Sequence, residues 1–259
     1  MIGVGRRTNI QAAIAAAILL TAGCATGPSG EGRLIADPYE RTNRQMHAFN
    51  KDVDTLVLRP VAEGYDLFAP ELIKHLVRNE LNYLRLPAIF LNRLMQGDLE
   101  EAGGALARFA LNTTLGGAGM LDPATEFGLP HEPTDFGVTL AVWGMDEGVY
   151  HELPILGPRT TRDAVGLVGH FLLDPTILIT FGVVEATAAV TAIDYTRTAL
   201  EPVVLRYENA DLLDQILYES EDSYLAARTG YVQARRRHVA GGESDVERLP
   251  DIFGDQSDD

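Results

Sequence analysis

Residues 122–163 run DPATEFGLPHEPTDFGVTLAVWGMDEGVYHELPILGPRTTRD. Ten of these 42 positions are Gly or Pro, a density that excludes a long helix or an uninterrupted strand. The stretch must consist of loops and short pieces. Long apolar segments with helical periodicity flank it on both sides, so the expected fold is all-α, an irregular Gly/Pro-rich centrepiece held by helices within one domain.

On the N-terminal side, Asp37-Pro38 offers an acidic cap followed by a helix-compatible proline. Tyr39, Met46, Phe49, Val53, Leu56 and Val57 then share one helical face, and Arg59-Pro60 is expected to close that helix. A second helical region spans residues 71–97, with Leu72, Ile73, Leu76, Val77, Leu81 and Leu84 on a broad apolar face and Pro87 kinking or splitting it. A third, from Asp98 to about Asn112, carries acids in its first turn and a later stripe of Leu106, Phe109 and Ala110. Residues 115–121, LGGAGML, turn the chain into the centrepiece.

On the C-terminal side, residues 164–193 are the most apolar part of the chain after its leader, but Asp174-Pro175 and Glu185 divide them into pieces of roughly ten. A bilayer span needs about 20 continuous apolar residues, so these pieces suit a core or a helical hairpin in one leaflet. A helix over about 196–207 follows. A break at 209–211 precedes one long amphipathic helix, with Leu212, Ile216, Tyr224 and Tyr231 on one face and Arg235, Arg236, Arg237 and His238 at its end. Gly241-Gly242 stops it. Residues 242–259 are acidic and poor in core-forming side chains, the composition of a disordered tail.

The first 23 residues have the pattern of a signal peptide: Arg6 and Arg7, an apolar run over 10–22, then small residues. LTAGC at 20–24 resembles a bacterial lipobox. Cys24 is the single cysteine, so it has no intrachain disulfide partner, and a lipid-acceptor role explains it. Covalent acyl chains on Cys24 are the one expected non-protein group; no cofactor is expected. Residues 24–36 would be a flexible tether. Ala25 rather than Asp after the cysteine favours the outer membrane.

The formal charge is −16, and loss of the leader with its two arginines makes it two units more negative. Such acidity disfavours nucleic acid and anionic headgroups as partners, so membrane contact must be apolar. Catalytic motifs are scarce. His131-Glu132 and His151-Glu152 begin like zinc-protease motifs, yet Asp135 and Ile155 stand where the second histidine belongs. No Gly-x-Ser-x-Gly occurs and no P-loop or dinucleotide glycine pattern follows a predicted strand, so neither an enzyme nor a metal site is anticipated. Arg162-Asp163 suits a buried charge pair at a helix start. Trp143 and Tyr150 suit a core, a ligand surface or a membrane interface.

Together these residues resemble the MlaA family of outer-membrane lipoproteins. The resemblance rests on DPYERTNR at 37–44 with Phe49-Asn50, Arg59-Pro60, Arg108-Phe109, LNTTLG at 111–116, EPTDFG at 132–137 and Thr139-Leu140. It continues in Trp143-Gly144, Gly148-Val149-Tyr150, Leu153-Pro154, Gly157-Pro158 and Arg162-Asp163. It covers about residues 37–240 and points to Asn43, Asn112, Arg162 and Asp163 as structural motif positions. It implies a ring-shaped helical domain over 37–241, lipid-anchored on the periplasmic side and embedded in the inner leaflet. It further implies an amphipathic channel, a trimeric porin partner and a soluble periplasmic carrier that receives phospholipid removed from the outer leaflet. The family's glycine-containing hairpin gate maps onto residues 139–150, with Gly144 and Gly148 as hinges beside Trp143 and Tyr150. Asp146-Glu147 departs from many relatives, and two acids there are expected to change the charge and restrict the backbone of the gate. The alternative is a lipoprotein that scaffolds a porin or other envelope partner around a closed core.

Overall fold

A computed structural model describes residues 35–173 and 188–241. The leader, Cys24, most of the tether, the divided stretch at 174–187 and the acidic tail lie outside the described residues. In chain order the elements are α1 (Glu40–Val53), a π-helical turn (Asp54–Leu58), α2 (Arg59–Phe68), α3 (Glu71–Gln96), α4 (Leu99–Thr114) and α5 (Pro123–Glu126). Then come α6 (Phe136–Val142), strands β1 (Tyr150–Leu153) and β2 (Gly157–Thr160), and α7 (Thr161–Leu173). The chain continues with α8 (Ala188–Glu208), α9 (Ala210–Asp214), a second π-helical turn (Gln215–Glu219) and α10 (Ser223–Val239).

Aspartates start many of these helices. Asp98, Asp122, Asp135 and Asp222 each accept a hydrogen bond from the backbone N–H three residues on, which satisfies a donor that the helix itself leaves free. Asp37 does not do this. Helix α1 begins behind Tyr39 with no side-chain cap, and the Asp37 carboxylate is used inside the molecule.

Two helix boundaries differ from the sequence-based expectation, and a third decides between alternatives left open at Pro87. Arg59-Pro60 does not close the first helix: the π turn, closed by Arg59 N–H on the Asp54 carbonyl, leads into α2 with Pro60 in its first turn, where no N–H is required. Pro87 does not split α3, which runs unbroken for 26 residues until Gly97 takes a left-handed conformation. The break near the C-terminus falls at residues 220–222 rather than 209–211, because Asp222 caps α10 while Asn209 only separates α8 from α9.

The centrepiece is short pieces, with one antiparallel hairpin whose register pairs Tyr150 with Thr160 and Leu153 with Gly157. The hairpin lies at 150–160. The segment expected to be a hairpin gate, residues 139–150, is the end of α6 followed by a connection to β1. A hydrogen bond from Met145 N–H to the Leu140 carbonyl, with Gly144 at positive φ, terminates α6 and explains why no strand forms there.

Apolar cores are small. Ile35, Tyr150, Tyr224 and Val232 form one, and Leu86, Ile89 and Ala105 of α3 and α4 form another, flanked by Tyr83 stacked on Phe109. The remaining interior is unusually polar. Among the described residues, buried Asn43, His47, Asp54, Lys74, Asn92, Arg108, Arg206 and Arg228 sit inside, while Leu56, Leu67, Phe68, Leu72, Leu99 and Phe127 stand outside. The apolar face read over residues 39–57 is turned outward at Tyr39, Phe49, Leu56 and Val57.

Candidate functional site

The polar interior is built from two stripes that repeat at helical spacing. Asn43, His47, Asn50 and Asp54 line one side of α1 and its π turn; Tyr224, Arg228, Tyr231 and Arg235 line one side of α10. Both stripes follow steps of four, three and four residues, which places them on a single helix face. That spacing was the available sequence signal, and attention to apolar periodicity alone passes over it.

Between the stripes lies the hairpin. Asn43 Nδ2 donates to Asp37 Oδ1 at 2.8 Å and to the Tyr150 carbonyl at 3.2 Å, while its Oδ1 accepts from Glu152 N–H at 3.0 Å. Asn50 repeats the device two turns later, donating to Glu152 Oε1 at 3.1 Å and to the Leu153 carbonyl at 2.9 Å. Its Oδ1 accepts from Ile155 N–H at 2.6 Å. Two amide side chains thus act as extra backbone and dock β1 on α1.

Tyr150 is fully buried and donates to Glu152; Tyr224 donates to Asp37; Arg228 donates to the Ile35 carbonyl and lies 3.3 Å from Asp37. Burial, followed by the neighbouring Glu152 carboxylate, pushes the Tyr150 phenol well above its ordinary range. It stays a neutral donor. Tyr150 is therefore a core residue. Trp143 is mostly exposed, with its indole N–H on the Met95 carbonyl at 3.0 Å and its ring edge-on to Phe136.

A second knot ties α10 to the starts of α6 and α7. Arg235 forks onto both oxygens of Asp135 at 2.7 Å each and reaches Asp163 Oδ1 at 2.8 and 2.9 Å. Tyr231 donates to Asp163 Oδ2 at 2.5 Å. Burial alone would raise the Asp135 carboxyl, but the hydrogen bonds and charge of Arg235 outweigh it and hold it below the usual carboxylate range. Arg162 and Asp163 are both buried at the start of α7, 3.9 Å apart, so Arg235 is the closer partner of Asp163.

A third knot sits at the two π turns: Arg206 donates to Asp54 and to Asp214, and Tyr218 donates to Asp54 Oδ2 at 2.8 Å. Elsewhere Asn112 donates to Asp122 at 2.9 Å and accepts from Ala124 N–H, while Arg108 forks onto Asp122. None of these carboxylate networks leaves the open ligand set of a metal site. Among the described residues no group of three or more His, Cys, Asp or Glu side chains is arranged to hold a metal ion. His131 is half-buried, with its Nδ1 shielded from solvent and unpartnered, and His151 bonds Thr161 through Nε2 and stacks on Tyr39.

The connection between α6 and β1 lies against this interior. Glu147 forks onto Arg236 at 2.5 and 3.0 Å, while Asp146 is exposed. The Glu147 carbonyl accepts from Arg162 N–H, and the Val149 carbonyl accepts from Thr161 N–H. Gly144 and Gly148 bound the segment, both with positive φ. A Cβ on Gly148 would fall 2.6 Å from Thr161, whereas one on Gly144 meets open space.

The model of the MlaA lipoprotein family matches residues 35–238. The chain belongs to the MlaA family. It is 31% identical over 254 residues to the intermembrane phospholipid transport system lipoprotein MlaA of Escherichia coli K12, covering 95% of each chain. It is 32% identical to the MlaA lipoprotein of Haemophilus influenzae, covering 94% of this chain and 96% of that one. An uncharacterised protein of Rickettsia felis is 32% identical over 206 residues, 79% of this chain and 78% of its own. A solved MlaA-like structure, reported as the structural basis for maintenance of bacterial outer membrane lipid asymmetry, superimposes with a TM-score of 0.65 at 29% identity. It matches 79% of this chain and 99% of its own length. The family match covers every described element, ending at His238, one residue before the end of α10.

Proposed function

We propose that this lipoprotein withdraws mislocalised phospholipid from the outer leaflet of the outer membrane and passes it to a periplasmic carrier. The observation that carries the reading is the inversion of polarity. Exposed Leu67 and Phe68, 76% and 81% accessible, follow one another at the end of α2, with Leu72 at the start of α3. Burial of side chains of this size contributes about 1.5–3 kcal/mol each, so water is a poor solvent for this surface and acyl chains are a good one. Among the described residues no helix is long and apolar enough to cross a membrane. A body seated in one leaflet reconciles the two facts.

A charged headgroup meets a prohibitive desolvation cost in hydrocarbon, so the passage that this reading requires must be walled by polar groups that replace the water it loses. Acyl chains can remain against apolar surface meanwhile. The Gly144–Gly148 segment is the movable part of the wall in this scheme, with Trp143 at the membrane interface, and Cys24 carries the acyl anchor. A trimeric porin would hold the body in place. The naming of the Escherichia coli and Haemophilus influenzae relatives as lipoproteins of an intermembrane phospholipid transport system supports this reading.

The test is surface labelling of aminophospholipid with a membrane-impermeant reagent in cells with and without the chain. Deletion is expected to raise the labelled fraction several-fold, and complementation with Cys24→Ala is expected to fail. An unchanged labelled fraction on deletion would overturn the transport reading and favour a scaffold.

A further inference from the structure

Three side chains from three distant elements meet at one edge of the polar interior. Ser223 is the first residue of α10, and the helix start does not consume its hydroxyl, because Asp222 is the cap and accepts from Leu225 N–H at 3.1 Å. Ser223 Oγ lies 3.1 Å from Nε2 of His47 on α1. The other ring nitrogen, Nδ1, faces Glu152 Oε1 on β1 at 3.6 Å. His47 and Glu152 are buried, and Ser223 is half-buried. A proton on Nδ1 beside the carboxylate leaves the Nε2 lone pair to accept from the serine hydroxyl, and this order of carboxylate, imidazole and hydroxyl is the one that activates a serine. Such sets are recognised by geometry rather than by sequence order, and the 176 residues between His47 and Ser223 keep this one out of any local motif.

The surroundings suit that use. Glu152 is fixed from three sides: Asn50 donates to its Oε1, Tyr150 donates to its Oε2, and its own N–H donates to Asn43 Oδ1. The imidazole stands edge-on to the Tyr224 ring, with centroids 5.7 Å apart. An open cleft of about 880 Å³ lies in front of the pair, lined by His47, Ser223, Arg44, Tyr224, Leu225 and Thr229. The hydroxyl therefore meets solvent while the carboxylate behind it is sheltered. The 3.6 Å from Nδ1 to Glu152 is longer than a hydrogen bond, and contacts of this kind tighten when substrate occupies a site. Docking α1 on α10 requires only the bond between Ser223 and His47; it requires neither a carboxylate behind the ring nor a cleft before it. Arg44 at the rim is already paired with Glu40 and Asp222, so it offers no free charge to an anionic group, and the cleft suits an uncharged substrate.

We infer that Ser223, His47 and Glu152 form a hydrolytic site for uncharged carboxylic esters, an activity separate from lipid transport. Ser223 Oγ attacks the ester carbonyl carbon as its proton passes to His47 Nε2. The bond from that carbon to the alcohol oxygen then breaks, and the alcohol leaves with the proton held by His47. A water molecule, giving a proton to His47, attacks the carbonyl of the acyl-serine; the carboxylic acid departs and the proton returns to Ser223 Oγ. Ser223 and His47 are the catalytic residues. Glu152 is a positioning residue that sets the tautomer and orientation of the ring.

The test treats the full lipidated chain in detergent with a fluorophosphonate probe, locates the adduct by mass spectrometry of the digest, and measures turnover of p-nitrophenyl butyrate in parallel. The adduct is expected on Ser223, with turnover about a hundredfold or more above that of Ser223→Ala. His47→Gln can still hydrogen-bond Ser223 and so keeps α1 on α10, but it cannot carry the proton. Its turnover is expected to fall to the Ser223→Ala level and its adduct formation to slow about tenfold or more, with the helical circular dichroism unchanged. Glu152→Gln is expected to lower kcat about tenfold or more while KM stays within about twofold, a split that loosened packing alone would not produce. Absence of an adduct on Ser223 of the parent chain, or an equal rate of adduct formation in His47→Gln, would overturn the site. The labelling experiment on the deletion strain reports on transport independently, so either reading can fail while the other stands.

Discussion

Replacing Arg235 by Ala is the sharpest test of the polar interior. The side chain closes the knot between α10, α6 and α7 through two bonds to Asp135 at 2.7 Å and contacts with Asp163 at 2.8 and 2.9 Å. Asp135 is partly exposed and can recover water after the change, but Asp163 is 5% accessible and cannot. Tyr231 and the more distant Arg162 are what remain to it. Removing one partner of a buried pair costs about 3–5 kcal/mol because the other charge is stranded. For a domain of this size each kcal/mol lowers Tm by about 2–4 °C, so the expected loss is about 6–20 °C. Thermal unfolding followed by circular dichroism in mild detergent measures it. Asp163→Asn in the Arg235→Ala background removes the stranded charge and should recover a substantial part of the loss. Arg235→Lys keeps the charge but loses the fork and should fall between. A Tm for Arg235→Ala within about 2 °C of the parent would refute the assignment of this knot as a structural charge network.

The other predictions concern the gate segment, acid sensitivity and membrane seating. Gly148→Ala meets both a left-handed backbone and Thr161 at 2.6 Å and should destabilise by about 2–5 kcal/mol, whereas Gly144→Ala meets the backbone penalty alone, about 1–2 kcal/mol; denaturant titration of both variants decides. His131, His151 and His238 are each held below their ordinary value of 6.5, chiefly by burial, so the unfolded chain takes up protons first as pH falls. Stability that is complete above about pH 7 should decline as pH falls below 6.5, and replacing His131 by Gln should flatten that part of the profile; an unchanged slope would exclude His131 as a contributor. Replacing Leu67 and Phe68 together by Ser should leave the helical circular dichroism intact while weakening flotation with vesicles, since both side chains are exposed in the fold.

Much of the local structure was legible in the chain. The glycines and prolines of 122–163 forbid long elements, and the structure has a four-residue helix, a seven-residue helix and a short hairpin there. The acidic start of the third helix is the Asp98 cap, and the Gly241 stop stands at the end of α10. The burial of Arg162 and Asp163 was readable too, but the fork of Arg235 that engages Asp163 was not, because 72 residues separate them and no local pattern links them. Nor was the partner of Glu147 readable: it pairs with Arg236, 89 residues away.

The Gly/Pro-rich stretch and the helices around it follow from the sequence alone, since backbone conformation is largely a local property. The tertiary structure decided which way the helices face. An apolar stripe on a helix shows that its residues share an environment poor in water, and a protein core and an acyl-chain layer are equally poor in it. Periodicity therefore could not tell that Phe49 and Leu56 point outward while Asn43, His47 and Asp54 point inward. That choice was made by partners distant in the chain: the hairpin edge that needs the amides of Asn43 and Asn50, and the arginine that needs Asp54.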